Sequence, residues 1–308
     1  MTRRASILFS VAARAFIASR ASPDTRSAYE RDLSAWLVHC DLEAVSPAKP
    51  TLACSTSFRD NLLARQVRRK RSEKMKAIEP TSVRRTLAAL SAIYKSALAG
   101  ESPAASWNPF TTQALPWPQA PAFGVTRAVS DDVAKKMLEI AKETSPRDAA
   151  VLAVLYSTGL RRKPVSRLLR TREKLFRVRG TLVARVTVKG GQEVEVEIPS
   201  PFDATLATWL DASESEWVFP AARGRGSIHP STVNRIVEEY ATAVGAVGVH
   251  PHAFRAAFVT GLYDAGLAER DIQAAVHHRD PRSTQRYDRG KRGAGATKAL
   301  AKFREEKK

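Results

Sequence analysis

Between Gly100 and Val125 the chain reads GESPAASWNPFTTQALPWPQAPAFGV, and five of these residues are proline. Proline lacks an amide hydrogen and pushes the residue before it out of the helical region, so no helix runs through this stretch. Helical periodicity resumes on both sides. The break divides 308 residues into two parts, each long enough to enclose a core of its own. The expected organisation is a helical first domain over residues 1–105, a proline-rich linker over 106–126 and a second domain over 127–308.

Charge narrows the range of partners. Fifty Lys and Arg against 31 Asp and Glu leave a net charge of +19 and a pI near 10.4, more positive than solubility requires and fitted to a polyanion such as nucleic acid. A membrane partner is not expected. No apolar run is long enough to span a bilayer, and Arg residues interrupt the N-terminal ASILFSVAARAFIASR, which reads as an amphipathic helix with Ile7, Val11 and Ile17 on its apolar side. Cys40 and Cys54 form neither a metal-ligand pattern nor a disulfide framework. A reducing, cytoplasmic setting is expected, with no metal and no cofactor.

In the first half, Tyr29, Leu33, Trp36 and Leu37 recur at helical spacing after the capping residues Asp24 and Thr25. A Pro- and Ser-rich loop over 45–57 precedes a helix expected from Phe58 to Ala77, whose second half, ARQVRRKRSEKMK, is almost entirely basic. Such a run is either a solvated face or a phosphate contact, and Arg68, Arg69, Lys70 and Arg71 are the DNA-contact candidates within it. Val83, Leu87, Leu90, Ile93 and Tyr94 mark a further core-facing helix, with Arg84 and Arg85 off its apolar stripe as additional DNA-contact candidates.

The second half opens with a helix after Ser130. Another starts at Ser145-Pro146-Arg147-Asp148 and runs through a continuously apolar stretch to a stop at Gly159. Arg161 follows at the junction to a helix through VSRLLRT, with Pro164 in its first turn. Over 182–198 the period changes to two: Val186 and Val188 alternate with Arg185 and Thr187, and Val194, Val196 and Ile198 alternate with Glu193, Glu195 and Glu197. Gly190-Gly191 turn this hairpin, which leaves Lys189 at its tip. Helical segments return to Gly266 and beyond, and a detached tail helix is expected in GAGATKALAKFREEKK. The fold class is mainly α with one small antiparallel hairpin or sheet in the second domain (α+β), the two domains forming a C-shaped clamp on DNA.

Cleaving a phosphodiester without a metal needs a nucleophile, cations for the nonbridging oxygens, a proton acceptor and a donor for the leaving hydroxyl. Arginine suits the oxygens because its planar fork of donors keeps its charge, and Arg161 and Arg255 are the candidates. His252 lies three residues before Arg255, one turn away on the same helical face, and imidazole exchanges protons near neutral pH. Lys189 at the hairpin tip can reach a leaving 5′ oxygen. His278 and, nine residues later, Tyr287 complete the set. Singly, each has an ordinary structural reading: a helix-end cation, a turn lysine, a solvated histidine, a half-buried tyrosine. Six in this order are far more specific than any one.

These residues carry a resemblance. Arg161 in STGLR, Lys189 in VKGG, His252 and Arg255 in HAFR, His278 in VHH and Tyr287 in STQRY resemble the catalytic set of the tyrosine recombinases of the phage integrase family, the class of Xer- and Cre-like site-specific recombinases. ASPDTRSAYERDLSAWL and PTSVRRTLAALSAIYKSA, before Asn108-Pro109, resemble more loosely the helical core-binding domain that precedes that set. The resemblance implies that Tyr287 forms a 3′-phosphotyrosyl bond and releases a 5′ hydroxyl, without metal or ATP. It implies as partners a double-stranded recombination site and further copies of the chain, a dimer on each site and a tetramer in synapsis. Three positions depart from the family's habit: Pro164 where an acidic residue is common, His277 where glycine is common, and Ala256 where histidine is frequent. The role of the third-motif histidine can fall on His277 or His278, and the nine-residue interval to Tyr287 favours His278. Strand passage of the type IB topoisomerase kind, resolvase activity, and DNA binding without catalysis are the alternatives.

Overall fold

The computed structural model describes residues 2–68, 75–99, 101–119, 127–188, 190–222, 226–278, 280–285 and 287. It forms two compact units, Met1–Phe123 and Gly124–Lys308. The mainly helical architecture with a small antiparallel sheet in the second unit matches the expected class. Among the described residues no helix is long and apolar enough to cross a membrane.

In the first unit the helices are α1 (Thr2–Ala18), α2 (Pro23–Leu42), α3 (Leu52–Ala64) and α4 (Pro80–Ala97), with a short antiparallel pair, β1 (Gln66–Arg68) and β2 (Met75–Ala77), between α3 and α4. Helix α2 is capped not by Asp24 or Thr25 but by Ser22, whose Oγ accepts from the Thr25 amide at 3.4 Å, with Pro23 in the first turn. The stripe that α1 buries is Phe9, Ala13 and Ile17, a four-residue repeat, while Ile7 and Val11 are exposed. Trp36 anchors the core: its indole N–H donates to the Tyr94 hydroxyl at 2.9 Å, and Tyr94 donates to the Pro47 carbonyl at 2.6 Å. Both buried aromatic polar groups are thereby satisfied.

Two expectations are corrected here. The basic run does not continue α3. Arg65 turns extended, Gln66 pairs with Ala77 and Arg68 with Met75 in a hairpin. A helix through this run would have stacked like charges three and four residues apart, which disfavours it. Arg69, Lys70 and Arg71 fall outside the described residues, and so does Lys189. The second correction concerns the linker. Residues 104–117 pack into the first unit, with Ala105, Phe110 and Leu115 buried among its helices. The Trp107 indole donates to the Pro50 carbonyl at 2.7 Å, and Phe110 meets Trp36 edge-on at 4.8 Å. The prolines do prevent a helix, but the aromatic residues between them bury enough apolar area to dock an irregular segment.

The second unit is built on α6 (Pro146–Thr158), in which every residue from Ala149 to Leu155 is buried. Helix α5 (Asp131–Thr144) packs beside it. After α6, α7 (Arg162–Ser166) is a single short turn, shorter than the expected helix because Leu169 bridges to Trp217 and the Val218 amide donates to the Leu168 carbonyl. A three-stranded antiparallel sheet follows in the order β3 (Leu175–Val178), β4 (Thr181–Thr187) and β5 (Glu193–Ile198). Val186 faces Val194, and Arg185 pairs with Glu195 across the strands at 2.7 Å, as the alternating pattern requires. β3 was not expected; it is short, and its second half is exposed. Helices α8 (Phe202–Asp211), α9 (Pro230–Ala243), α10 (Pro251–Asp264), α11 (Glu269–Ala275) and α12 (Pro281–Gln285) complete the described part.

Candidate active site

Three chain segments of the second unit meet around Arg255, on α10. The residue is 3% exposed. One terminal nitrogen donates to the Gly159 carbonyl at 2.7 Å and the other to the Val276 carbonyl at 2.6 Å. Arg255 thus ties the end of α6 to the end of α11. Among the described residues its Nε, also buried, finds no acceptor. Burial chiefly, then the repulsion of Arg161, brings the Arg255 pKa down to about 10, with Tyr287 acting in the opposite direction.

Gly159 positions both arginines. It ends α6 with φ +60°, the left-handed backbone that lets the chain turn at once into Leu160 and Arg161. A side chain there would also collide with Phe258, since a Cβ would lie 2.6 Å from its ring. Arg161 follows as the extended residue before α7, half-buried. Burial lowers its pKa and the nearby Tyr287 oxygen raises it. Among the described residues no carboxylate figures in the charges acting on either guanidinium. There the two cations share their surroundings with a phenol.

Tyr287 packs its ring against Val259, Ile272 and Val276, and its amide donates to the Thr284 carbonyl at 3.0 Å. The ring stands parallel to that of His278, with 6.3 Å between centroids and 7° between planes. His278 is buried. Its Nδ1 is hydrogen-bonded to the Thr284 hydroxyl at 2.9 Å, and its carbonyl accepts from the Gln273 amide side chain at 2.9 Å. Thr284 and Gln273 escaped notice in the sequence; a Thr three residues before a Tyr carries no signal of its own.

His252 lies in the first turn of α10 and is exposed. Desolvation by the surrounding protein, then His250, Arg161, Arg255 and Arg162, push its pKa below the ordinary histidine value, so the neutral form is favoured. His277 is half-buried and is also held neutral, first by burial and then by Arg255 and Arg161. The structure therefore brings Arg161, His252, Arg255, His278 and Tyr287 together, and adds His277 to them.

Among the first-unit candidates, Arg84 and Arg85 have partners within their own unit. Arg85 places both terminal nitrogens on Asp32, at 2.6 and 2.9 Å, and the Thr86 hydroxyl completes the cluster by donating to Asp32 at 3.1 Å. The ion pair raises the Arg85 pKa. Arg84 is exposed, donates to the Pro118 carbonyl at 3.1 Å and lies over the Trp117 ring at 5.6 Å. Arg68 lies in β1.

Comparison with known proteins adds ancestry to this geometry. Residues 127–292, more than half of the chain, match the model of the phage integrase family. The chain is 30% identical to tyrosine recombinase XerA of Pyrococcus furiosus over 168 residues, which span 53% of this chain and 57% of that protein. It is 26% identical to tyrosine recombinase XerC of Chlorobaculum parvum over 309 aligned residues, covering 88% and 86% of the two chains. Among solved structures, a lambda integrase dimer bound to a COC′ core site shares the fold, with a TM-score of 0.67 at 15% identity over 93% of this chain and 77% of that one. In the first of these alignments the chain spans little more than half the length of its relative, and in the second most of it.

Proposed function

Because the chain belongs to the phage integrase family, we propose that it is a site-specific recombinase that cuts and rejoins DNA strands through Tyr287. One observation carries the reading: a tyrosine within the electrostatic reach of two buried or half-buried arginines, of which Arg255 is held by carbonyls rather than by a carboxylate among the described residues. An arrangement of this kind favours an anion between the two guanidinium groups, and a phosphodiester supplies one of suitable geometry.

In this reading the Tyr287 oxygen attacks the scissile phosphorus while Arg161 and Arg255 hold its nonbridging oxygens, where charge builds up in the transition state. The phenolic proton passes to a neutral base, and His252 fills that role because its surroundings keep it unprotonated. The bond to the 5′ oxygen breaks, Lys189 provides the proton for the departing hydroxyl, and Tyr287 is left as a 3′-phosphotyrosine. Attack by the 5′ hydroxyl of another strand reverses the step, restores the phenol and joins the new strand. The number of phosphodiester bonds is conserved, so no nucleotide triphosphate is consumed. His278, stacked on Tyr287 and hydrogen-bonded to Thr284, sets the position of the nucleophile.

The partner is double-stranded DNA carrying a recombination site, bound in the cytoplasm by a dimer and synapsed by a tetramer. Among proteins of the same fold, lambda integrase is seen as a tetramer bound to a Holliday junction. In the first unit, Arg68, Arg69, Lys70, Arg71 and Arg84 contact phosphates, and Arg85, committed to Asp32, does not.

The test uses a pool of nicked duplexes with randomised sequence on both sides of the nick, so that a cut strand loses its short fragment and the covalent adduct accumulates. The wild-type protein is expected to form an SDS-resistant adduct and Tyr287→Phe none. An adduct that persists in Tyr287→Phe removes Tyr287 as nucleophile. Relaxation of an arbitrary supercoiled plasmid at a similar rate would place the protein with strand-passing enzymes instead.

A further inference from the structure

The end of α11 is closed in an unusual way. The amide of His277 donates to the Ala274 carbonyl and the amide of His278 to the Gln273 carbonyl, both at 3.1 Å. This pair of bonds requires left-handed backbone at the first residue beyond the cap, a position that glycine fills at least cost. His277 occupies it with φ +52°. A side chain held in this strained region persists where its surroundings impose it, and such residues concentrate at functional sites.

The surroundings of His277 belong to the phosphate pocket. The carbonyl of Val276, in the peptide that ends at the His277 nitrogen, accepts from Arg255 at 2.6 Å. The left-handed turn sends the two consecutive histidines to different duties. His278 is buried against Thr284 and stacked on Tyr287. His277 remains half-buried, and both Arg255 and Arg161 act on its ring. Its imidazole, kept neutral there, retains one N–H to donate.

We propose that His277 is a catalytic residue that donates a hydrogen bond to a nonbridging oxygen of the phosphate held by Arg161 and Arg255. His278 then serves chiefly to position Tyr287. The proposal rests on the recombinase reading above. It gives a physical reason for a strained histidine where glycine would fold better: the chain accepts backbone strain to gain a donor at the reacting phosphate.

The experiment measures the single-turnover rate of adduct formation at saturating protein on the randomised nicked-duplex pool, together with thermal midpoints, for wild type, His277→Gly, His277→Gln and Tyr287→Phe. His277→Gly relieves the backbone and is expected to raise the midpoint by about 2–4 °C while slowing adduct formation between about 10- and 100-fold. His277→Gln, which keeps an N–H donor, should recover part of that rate. A purely structural histidine gives the opposite outcome: His277→Gly would be more stable and at least as fast, and the proposal falls while the nucleophile assignment stands, provided the adduct still disappears in Tyr287→Phe. Absence of any wild-type adduct, or its survival in Tyr287→Phe, overturns the recombinase reading and this proposal with it.

Discussion

Arg85 in the first unit and Arg255 in the second are both drawn into folded surroundings, and they are treated in opposite ways. Arg85 meets a buried carboxylate with both ends of its fork, and Thr86 supports the pair. Its charge is answered inside the protein. Arg255 is more deeply buried, yet its partners are two carbonyls, its Nε has no acceptor among the described residues, and the largest charge effect on it there is the repulsion of another arginine. The contrast separates an arginine that holds a fold from one held by a fold. In the second case the protein bears a desolvation and repulsion cost that a bound anion relieves.

This contrast can be broken most forcefully at Arg255. Arg255→Ala should slow adduct formation by about 10²- to 10³-fold, the usual loss when one preorganised donor to a transition-state oxyanion is removed. Single-turnover cleavage at saturating protein measures it. Arg255→Lys should recover little, since a point charge cannot bridge the Gly159 and Val276 carbonyls and the phosphate as a fork does. Gly159→Ala attacks the support of the same arginine. The left-handed backbone and the clash with Phe258 should cost about 2 kcal/mol of stability, visible in chemical denaturation, and slow cleavage as well because the Gly159 carbonyl shifts.

Arg85→Ala sharpens the comparison from the other side. It leaves Asp32 buried without its cation, at a cost of about 1–2 kcal/mol once the half-exposed position of Arg85 is allowed for. Adduct formation by the folded fraction should stay within about twofold of wild type, as expected for a surface pair remote in role from the chemistry. A large loss of cleavage rate in Arg85→Ala would erase the distinction.

The smallest effect expected is a pH dependence. His252 has a folded-state pKa below its ordinary value, through desolvation, then His250 and the arginines Arg161, Arg255 and Arg162. The unfolded chain therefore binds this proton more readily than the folded one, so stability is fully present above the ordinary histidine pKa of about 6.5 and is lost as pH falls through that value toward the folded one. The thermal midpoint of wild type should decline over that window, and His252→Gln should flatten part of the decline.

The residues that answered to sequence reasoning are those whose signals are local. Gly159 after a long apolar run marks the end of α6 and so the place of Arg161; three-residue spacing sets His252 and Arg255 on one turn of α10; valines at alternate positions mark β4 and β5. What escaped was non-local. The bond from Arg255 to Gly159 joins residues 96 apart in sequence and leaves no pattern in either segment. The strain at His277 is a property of how α11 ends, not of its composition. The basic run misled because its charges obscure the pairing of Gln66 with Ala77. The proline-rich stretch misled because its aromatic residues find a core only once α2 and α4 have formed it.

The most direct test of the phosphate pocket is to identify the amino acid that becomes bonded to DNA. The adduct from the nicked pool, digested with protease and nuclease, should yield by mass spectrometry one peptide containing Tyr287 that carries a nucleotide through its 3′ phosphate, with the released strand bearing a 5′ hydroxyl. A nucleotide attached through its 5′ phosphate, or attached to any residue other than Tyr287, would contradict the assignment of Arg161, Arg255 and Tyr287 to one cleavage site.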